Sequence, residues 1–302
     1  HTNDRRQRQM CIRDRLNIAF LRSPFAHADI LSIDVMEAKK FPGVIDIFIA
    51  DDIDKICKPW VGTLGHLGEM KSPEQSPLAA KTVRWQGEAV AVVVANSRAQ
   101  AEDAIEAIDI EWSEKDAQVD METALNKDAV VIHEELGDNL FWTRTVEQGN
   151  VEDAFKNSDI VVETTLDFSR HTGVTLEPRG IIADWNKTEN KMTVYHNNQA
   201  PHMMQHIIAK HFDISEGLVR IVSRDVGGSF GIKVHVYADE MTAIAVSKII
   251  GRPVKFMADR LESFTTDIHA RCHKISGKLG LDTNGKILAM EINDLSGIGP
   301  YS

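Results

Sequence analysis

The chain has 302 residues, 43% hydrophobic and 26% charged, with a formal net charge of -11. That profile suits a globular protein of one large or two ordinary domains; it argues against a nucleic-acid binder, which would carry a basic stripe, and no apolar run approaches the ~18 residues of a membrane-spanning helix. Three scattered cysteines, Cys11, Cys57 and Cys272, argue against a disulfide framework and exclude a four-cysteine iron–sulfur cluster within this chain, and they suit a reducing, cytoplasmic setting.

Residues 1–15 are basic, nearly free of apolar side chains and unlike the rest of the chain. The string CIRDR within them resembles translated sequencing-adapter debris, so the stretch is expected to be a non-native or disordered tail. From Leu16 the pattern is orderly. Leu16–Leu21 and Ile30–Val35 are strand-like, Met36–Lys40 is helix-prone, Pro42-Gly43 is a turn, and Val44–Ile49 is another strand. Residues 51–78, with Pro59, Gly62, Gly65, Gly68, Pro73 and Pro77, read as a long irregular connection.

Ala89–Ala95 is apolar at every position, as a strand buried on both faces would be. Ser97 with Gln100 is a capping box, and Ala101, Ala104, Ile105 and Ile108 recur at helical spacing. Ile108–Trp112 closes a strand–helix–strand unit that carries no catalytic cluster and therefore reads as scaffold. Residues 113–150 are polar and acidic and read as a crossing between domains. Strands come next at Ile160–Leu166, Gly180–Trp185, Met192–His196 and Val219–Ser223. A helix over Pro201–Phe212 has proline in its first turn and Met203, Met204, Ile207, Ile208 and Phe212 on one face. A second helix, over Val236–Ile250, turns Met241, Ile244, Ala245 and Ile249 inward and stops at Gly251 and Pro253. His273–Leu279 and Lys286–Asn293 form a hairpin around Asp282–Gly285.

Three features could carry chemistry. Asp225–Lys233 reads DVGGSFGIK, between a strand and a helix. Its glycines permit tight turns and close approach, and successive N–H groups ahead of a helix suit a phosphate or oxo group. An ordinary glycine-rich turn is the alternative. The segment is neither a P-loop nor the dinucleotide fingerprint. Gln199, after Asn197 and Asn198, offers two uncharged N–H donors at a strand–helix junction, although turn chemistry would also explain such amides. Glu177 and Arg179, downstream of His171, form either a structural ion pair or part of a site. His202 and His206 lie four apart on a helix, but no third ligand accompanies them, so no protein metal site is expected.

In order, RSPFAHADI (22–30), QGEAVAVVVA (86–95), HTGVTLEPRG (171–180), NNQ (197–199), DVGGSFGIK (225–233) and GRPVKFMADR (251–260) resemble the molybdenum hydroxylases: xanthine dehydrogenases, aldehyde oxidases, carbon monoxide dehydrogenases and their relatives. The resemblance spans residues 16–302. It implies an α+β chain: an α/β hammerhead domain over 16–125, a linker over 126–144 and a first molybdopterin-binding domain, incomplete, over 145–302. It also implies that Gln199 hydrogen-bonds the molybdenum centre and that Gly227, Gly228, Phe230 and Gly231 lie against molybdenum and pterin through backbone amides. The metal is then held by the pterin, not by protein ligands.

Purine-hydroxylating members carry a glutamate four residues after the loop phenylalanine, where this chain has Val234. With Glu177 beside it, that position implies a substrate pocket for an aldehyde or N-heterocycle, because a site without the needed hydrogen-bond partner discriminates strongly. The second cofactor domain and the late catalytic glutamate of the family lie beyond the pattern matched, so no catalytic residue is expected within this chain. Iron–sulfur clusters and FAD are expected on other chains. The readings that remain are a fragment of an oxidoreductase subunit, a naturally split subunit completed by another chain, or a non-catalytic assembly module. Half of a shared cofactor site should expose apolar surface and lower the solubility of the chain alone.

Overall fold

In the computed structural model, which describes residues 15–62 and 69–301, the seven apolar residues of Ala89–Ala95 are all buried. The strand they form has cores on both sides. Val92 and Val94 belong to one cluster, with Phe20, Ile181, Met204 and Ile244. Ala91, Val93 and Ala95 belong to another, with Ile47, Ala101 and Ala104. Side chains alternate across a strand, so a strand with helices over both faces is apolar throughout.

The strands are β1 (Leu16–Arg22), β2 (Ala28–Asp34), β3 (Val44–Ile49), β4 (Trp60–Val61), β5 (Glu74–Gln75), β6 (Thr82–Val83), β7 (Ala89–Ala95), β8 (Asp109–Glu114), β9 (Ile160–Phe168), β10 (Gly180–Asn186), β11 (Lys191–His196), β12 (Val219–Val222), β13 (Val254–Met257), β14 (Cys272–Leu281) and β15 (Ile287–Gly297). The helices are α1 (Ala50–Ile53), α2 (Arg98–Ile105), α3 (Val151–Lys156), α4 (Pro201–His211), α5 (Ala238–Ile250) and α6 (Arg260–Thr266). The architecture is α+β. The basic stretch 1–15 lies, apart from Arg15, outside the described residues.

Two compact units are present, and neither is one continuous stretch of chain. The first comprises the described residues up to 61, 74–116 and 173–268. Its main sheet has the order β12-β11-β10-β13-β1-β7-β3. β1 joins the two halves of that sheet: it pairs antiparallel with β7, and parallel with β13 through Leu16 opposite Val254. A smaller sheet, β6-β2-β8, covers Ala28, Val83 and Val90. Helix α2 begins where expected, with Ser97 Oγ accepting the Gln100 N–H at 3.3 Å. Segment 51–78, expected to be irregular, includes the end of α1 and the β4–β5 pair.

Helix α4 starts at Pro201 and buries Met204, Ile208 and Ala209, with Phe212 just beyond it. Met203 is exposed, and so is Ile249 of α5; each sits at the edge of its apolar stripe. Gly251 ends α5 in the left-handed conformation, φ 71°, and its N–H closes on the Ser247 carbonyl.

The second unit comprises the described residues within 62–73, 117–172 and 269–302. It holds the sheet β15-β14-β9. The hairpin is longer than the alternation indicates, at 272–281 and 287–297. Helix α3 packs on one face, with Phe155 against Gly280 and beneath the Lys278 ammonium. Residues 126–144, expected to be a linker, have little regular structure but are pinned within this unit. His133 is buried, with Nε2 2.7 Å from the Pro300 carbonyl, and the Asn139 amide donates to the carbonyls of Ala124 and Val130.

Candidate functional site: a glycine loop and an uncharged donor set

The site arises from strand direction. β11 and β12 are parallel neighbours, with Tyr195 opposite Val222, so the segments leaving them emerge side by side. β10 is antiparallel to β11, with Ile181 opposite His196, so the segment entering β10 arrives at the same end. Three segments converge there: 173–179, 197–200 and 223–234. Ligand crevices commonly open where strands end in this way.

The segments are tied by specific bonds. Asn197 Oδ1 accepts the Gly180 N–H at 3.0 Å, and its Nδ2 donates to the Pro178 carbonyl at 2.8 Å. Asn198 Oδ1 accepts the Ala200 N–H, which turns the chain into α4. Ser223 Oγ donates to the Asn198 carbonyl at 2.7 Å. Asn197 and Asn198 therefore do the turn chemistry, and Gln199 is left exposed.

The glycine loop does not lead straight into a helix, as the sequence pattern suggests. A 3-10 turn, Ile232–Val234, intervenes, and α5 starts only at Ala238. Gly228 and Gly231 have φ of 96° and 90°, and Phe230 between them has φ 52°. Such angles suit glycine and strain other residues. A Cβ on Gly227 would lie 2.5 Å from Glu177 Cβ, so the two backbones meet only because Gly227 lacks a side chain. The Ile232 N–H closes on the Ser229 carbonyl, and the Lys233 N–H on Ser229 Oγ. The N–H groups of Gly228, Ser229, Phe230 and Gly231 have no protein acceptor among the described residues. Phe230 is 79% exposed, and Val234 is half-buried at the end of the 3-10 turn.

Gln199 is brought to this loop. Its N–H donates to the Lys233 carbonyl at 3.0 Å, and its Oε1 accepts from Ser229 Oγ. With Oε1 engaged, both Nε2 protons are free to donate elsewhere.

Glu177 and Arg179 do not pair with each other. Glu177 Oε2 accepts the Gly227 N–H at 2.7 Å and the Lys233 ammonium at 2.8 Å. Partial burial pushes its carboxyl upward, but the bonds from Lys233 and Gly227 and the Lys233 charge outweigh this and hold it below the ordinary glutamate value. Arg179 points the other way, into a buried cluster. It donates to both oxygens of Asp239, to Glu240, to Asp267 and to Thr266, and it lies over the Tyr237 ring. Sequence pattern alone gave no sign of this cluster or of the Lys233 pairing, because partners 56 to 88 residues away leave no local spacing.

His202 and His206 join no metal site: among the described residues no group of three or more His, Cys, Asp or Glu is placed to hold an ion. His206 pairs instead with Glu216. A cavity of about 400 Å³ beside the first turn of α4 is lined by Lys191, His202, Gln205 and Arg220. It includes neither Gln199 nor the glycine loop. No helix among the described residues is long and apolar enough to cross a membrane.

Residues 132–302 match the molybdopterin cofactor-binding domain family, and residues 8–116 match the family described as aldehyde oxidase and xanthine dehydrogenase, a/b hammerhead domain. The chain belongs to the molybdopterin-binding large-subunit family of the molybdenum hydroxylases.

This hydroxylase-family chain is 31% identical to the carbon monoxide dehydrogenase large chain of Hydrogenophaga pseudoflava, over 95% of this chain and 36% of that one. It is 29% identical to the nicotinate dehydrogenase large molybdopterin subunit of Eubacterium barkeri, over 96% of this chain and 65% of the relative. Quinoline 2-oxidoreductase from Pseudomonas putida 86 superposes with a TM-score of 0.89 at 33% identity, over 92% of this chain and 35% of that one. The chain thus spans about a third of the length of the first curated relatives it matches.

The donor set fits a molybdopterin group. Four backbone N–H groups with no protein acceptor among the described residues, and the Gln199 Nε2, offer hydrogen-bond donors that an oxo- and phosphate-bearing cofactor can accept from. Protein ligands are not needed for a metal held by the pterin.

Proposed function

We propose that residues 173–234 form one wall of the cofactor cradle of a molybdenum-dependent hydroxylase that oxidises an aldehyde or an N-heterocycle. The observation that carries this reading is the meeting of Gln199 with the glycine loop, through the Lys233 carbonyl and Ser229 Oγ. When bound, the molybdenum–pterin group supplies the two-electron redox chemistry, with oxygen derived from water. Gln199 Nε2 would donate to its oxygen ligands. The N–H groups of Gly228 to Gly231 would receive its anionic face, with Gly227, Gly228, Phe230 and Gly231 against the pterin. Preorganised donors of this kind stabilise developing negative charge without reorganising.

Val234 presents an apolar side chain where a purine would need a carboxylate, which favours aldehydes and N-heterocycles. Glu177 is proposed to line the same pocket, and because it is engaged by Lys233 and Gly227 we assign it no proton transfer. The catalytic base is proposed to come from outside this chain. Electrons would leave through iron–sulfur and FAD subunits in a cytoplasmic complex, with the remaining half of the cofactor site supplied by further large-subunit sequence. The shorter Eubacterium barkeri relative supports a second reading, in which that half arrives on a separate chain.

The test is to purify the complete enzyme containing this chain, measure molybdenum and pterin, and assay an aldehyde, an N-heterocycle and xanthine. Stoichiometric cofactor that falls severalfold in Gln199→Ala, with xanthine a poor substrate, is expected. Xanthine turnover matching the other two would overturn the substrate assignment, and absence of pterin would overturn the cradle.

A further inference from the structure

Lys233 is an unusual residue to find at the edge of an exposed loop. Its side chain is 1% exposed, although it carries an ammonium group, and Glu177 is its ion-pair partner. A buried lysine without a partner is strongly disfavoured, so the pair determines where the two segments that carry these residues can sit. Lys233 also touches the third segment. Its carbonyl accepts the Gln199 N–H at 3.0 Å, and its own N–H donates to Ser229 Oγ at 3.1 Å. Ser229 Oγ in turn donates to Gln199 Oε1. These bonds close a ring through Gln199, Ser229 and Lys233, Glu177 and Gly227 extend it from the Lys233 ammonium, and Lys233 is the member that reaches all three converging segments.

We propose that Lys233 is the positioning residue of the glycine loop. Its buried charge fixes Glu177, Glu177 fixes the Gly227 N–H, and the Lys233 backbone fixes Gln199, so that the loop and the amide are held together. The inference rests on the cradle reading for its purpose, but not for its geometry. Lys233 touches no reacting atom in this scheme; it acts through Gln199 and the loop. The local signal in the sequence is the lysine two residues after the last glycine of the motif, which spacing alone does not mark as buried.

Hydrogen exchange followed by mass spectrometry on the full chain tests the latch directly. In Lys233→Met the peptide covering 225–234 should exchange about tenfold faster than wild type, the change expected when a charge-assisted bond in a local opening unit is lost. Lys233→Arg, which keeps the charge, should recover most of the protection, and Glu177→Gln should reproduce the loss without touching Lys233. Peptides from β7 serve as the control and should not change. Unaltered exchange of 225–234 in both Lys233→Met and Glu177→Gln, or acceleration of β7 to the same extent, would overturn the proposal. Should Lys233→Met fail to fold, Glu177→Gln decides. In the complete enzyme, Lys233→Met should also lower molybdenum and pterin content severalfold, with recovery in Lys233→Arg. A wild-type enzyme without pterin sinks the cradle reading and leaves the exchange result standing. A pterin-loaded wild type whose Lys233→Met variant exchanges normally sinks the latch alone.

Discussion

Arg179 grips Asp239 with both ends of its guanidinium, Nη1 to Oδ1 at 2.8 Å and Nη2 to Oδ2 at 3.0 Å, where the two side chains are 1% and 3% exposed. This contact ties the entry of β10 to the first turn of α5, directly behind the segments that form the site. Asp267 and Glu240 add to it, and burial, which opposes the Arg179 charge, is overcome by these carboxylates. Removing one partner of such a cluster leaves buried carboxylates uncompensated. Arg179→Met should therefore lower unfolding free energy by about 3–5 kcal/mol, measured by urea denaturation. A loss below about 1 kcal/mol, the range of an exposed pair, would show that the cluster is solvated in practice.

The same carboxylates set an acid limit. Burial pushes the Asp239 carboxyl up, but the charges and hydrogen bonds of Arg179 and Arg22 outweigh it and hold it below the ordinary aspartate value of 3.8. Glu177 is likewise held below its ordinary 4.5, with a weaker effect because it is partly exposed. A carboxyl depressed in the folded state contributes stability above its unfolded value, and that contribution is lost as pH falls through the folded value. Urea midpoints should be flat from about pH 7 to 5 and then fall steeply. Asp239→Asn, already weaker at pH 7, should show a shallower acid limb. An equally steep limb in that variant would place the transition on other groups.

Thiol chemistry offers a cleaner probe of the first unit. Cys57 is fully buried, and burial, reinforced by Asp54 against a smaller opposing effect of Lys248, pushes its thiol up to about 12. Cys272 is only half-buried. At pH 8 the native chain should alkylate at Cys272 well before Cys57, read by peptide mapping, because thiolate and access are both required. Early modification of Cys57 would mean that α1 and the segment after it open readily.

Among the described residues, one face of the second unit's sheet carries exposed apolar side chains. Val162, Leu279 and Met290 lie in register across its three strands, as do Thr164, Gly277 and Ile292. Val162 is 52% exposed, and Met290 and Ile292 are each 59% exposed. Helix α3 covers the other face, at Gly280. Apolar surface of this kind is aggregation-prone when nothing lies over it, so the isolated chain should self-associate and bind a hydrophobic dye. The double variant Val162→Lys, Met290→Lys should reduce both. A monodisperse wild-type chain at high concentration would refute the expectation.

Much of the local structure was legible in the sequence, because local rules govern it. The apolar run of β7, the Ser97 cap, Pro201 at the start of α4 and Gly251 at the end of α5 each reflect one residue's conformational or hydrogen-bonding needs. The convergence of Gln199 with the glycine loop could be expected from family pattern, whereas its physical basis, the parallel β11–β12 pair, lies in the topology. Arg179 was visible only as a neighbour of Glu177. Its true partners lie on α5 and just beyond α6, and no periodicity joins them. Lys233 was hidden for the same reason: a lysine after a glycine motif looks like an exposed one until a carboxylate 56 residues earlier comes to meet it.

The parallel pairing of β1 with β13 has a consequence for how the chain is made. Leu16 finds its partner at Val254, so the strand that joins the two halves of the main sheet waits, half-paired, while most of the chain is still being synthesised. At ~5–20 residues per second on the ribosome that delay is on the order of 10–50 s, long compared with the microsecond closure of a hairpin. During that interval β1 can pair with β7 but presents its other edge, an open template for strand pairing. Production of the protein should therefore respond to translation speed and to chaperones that shield strand edges.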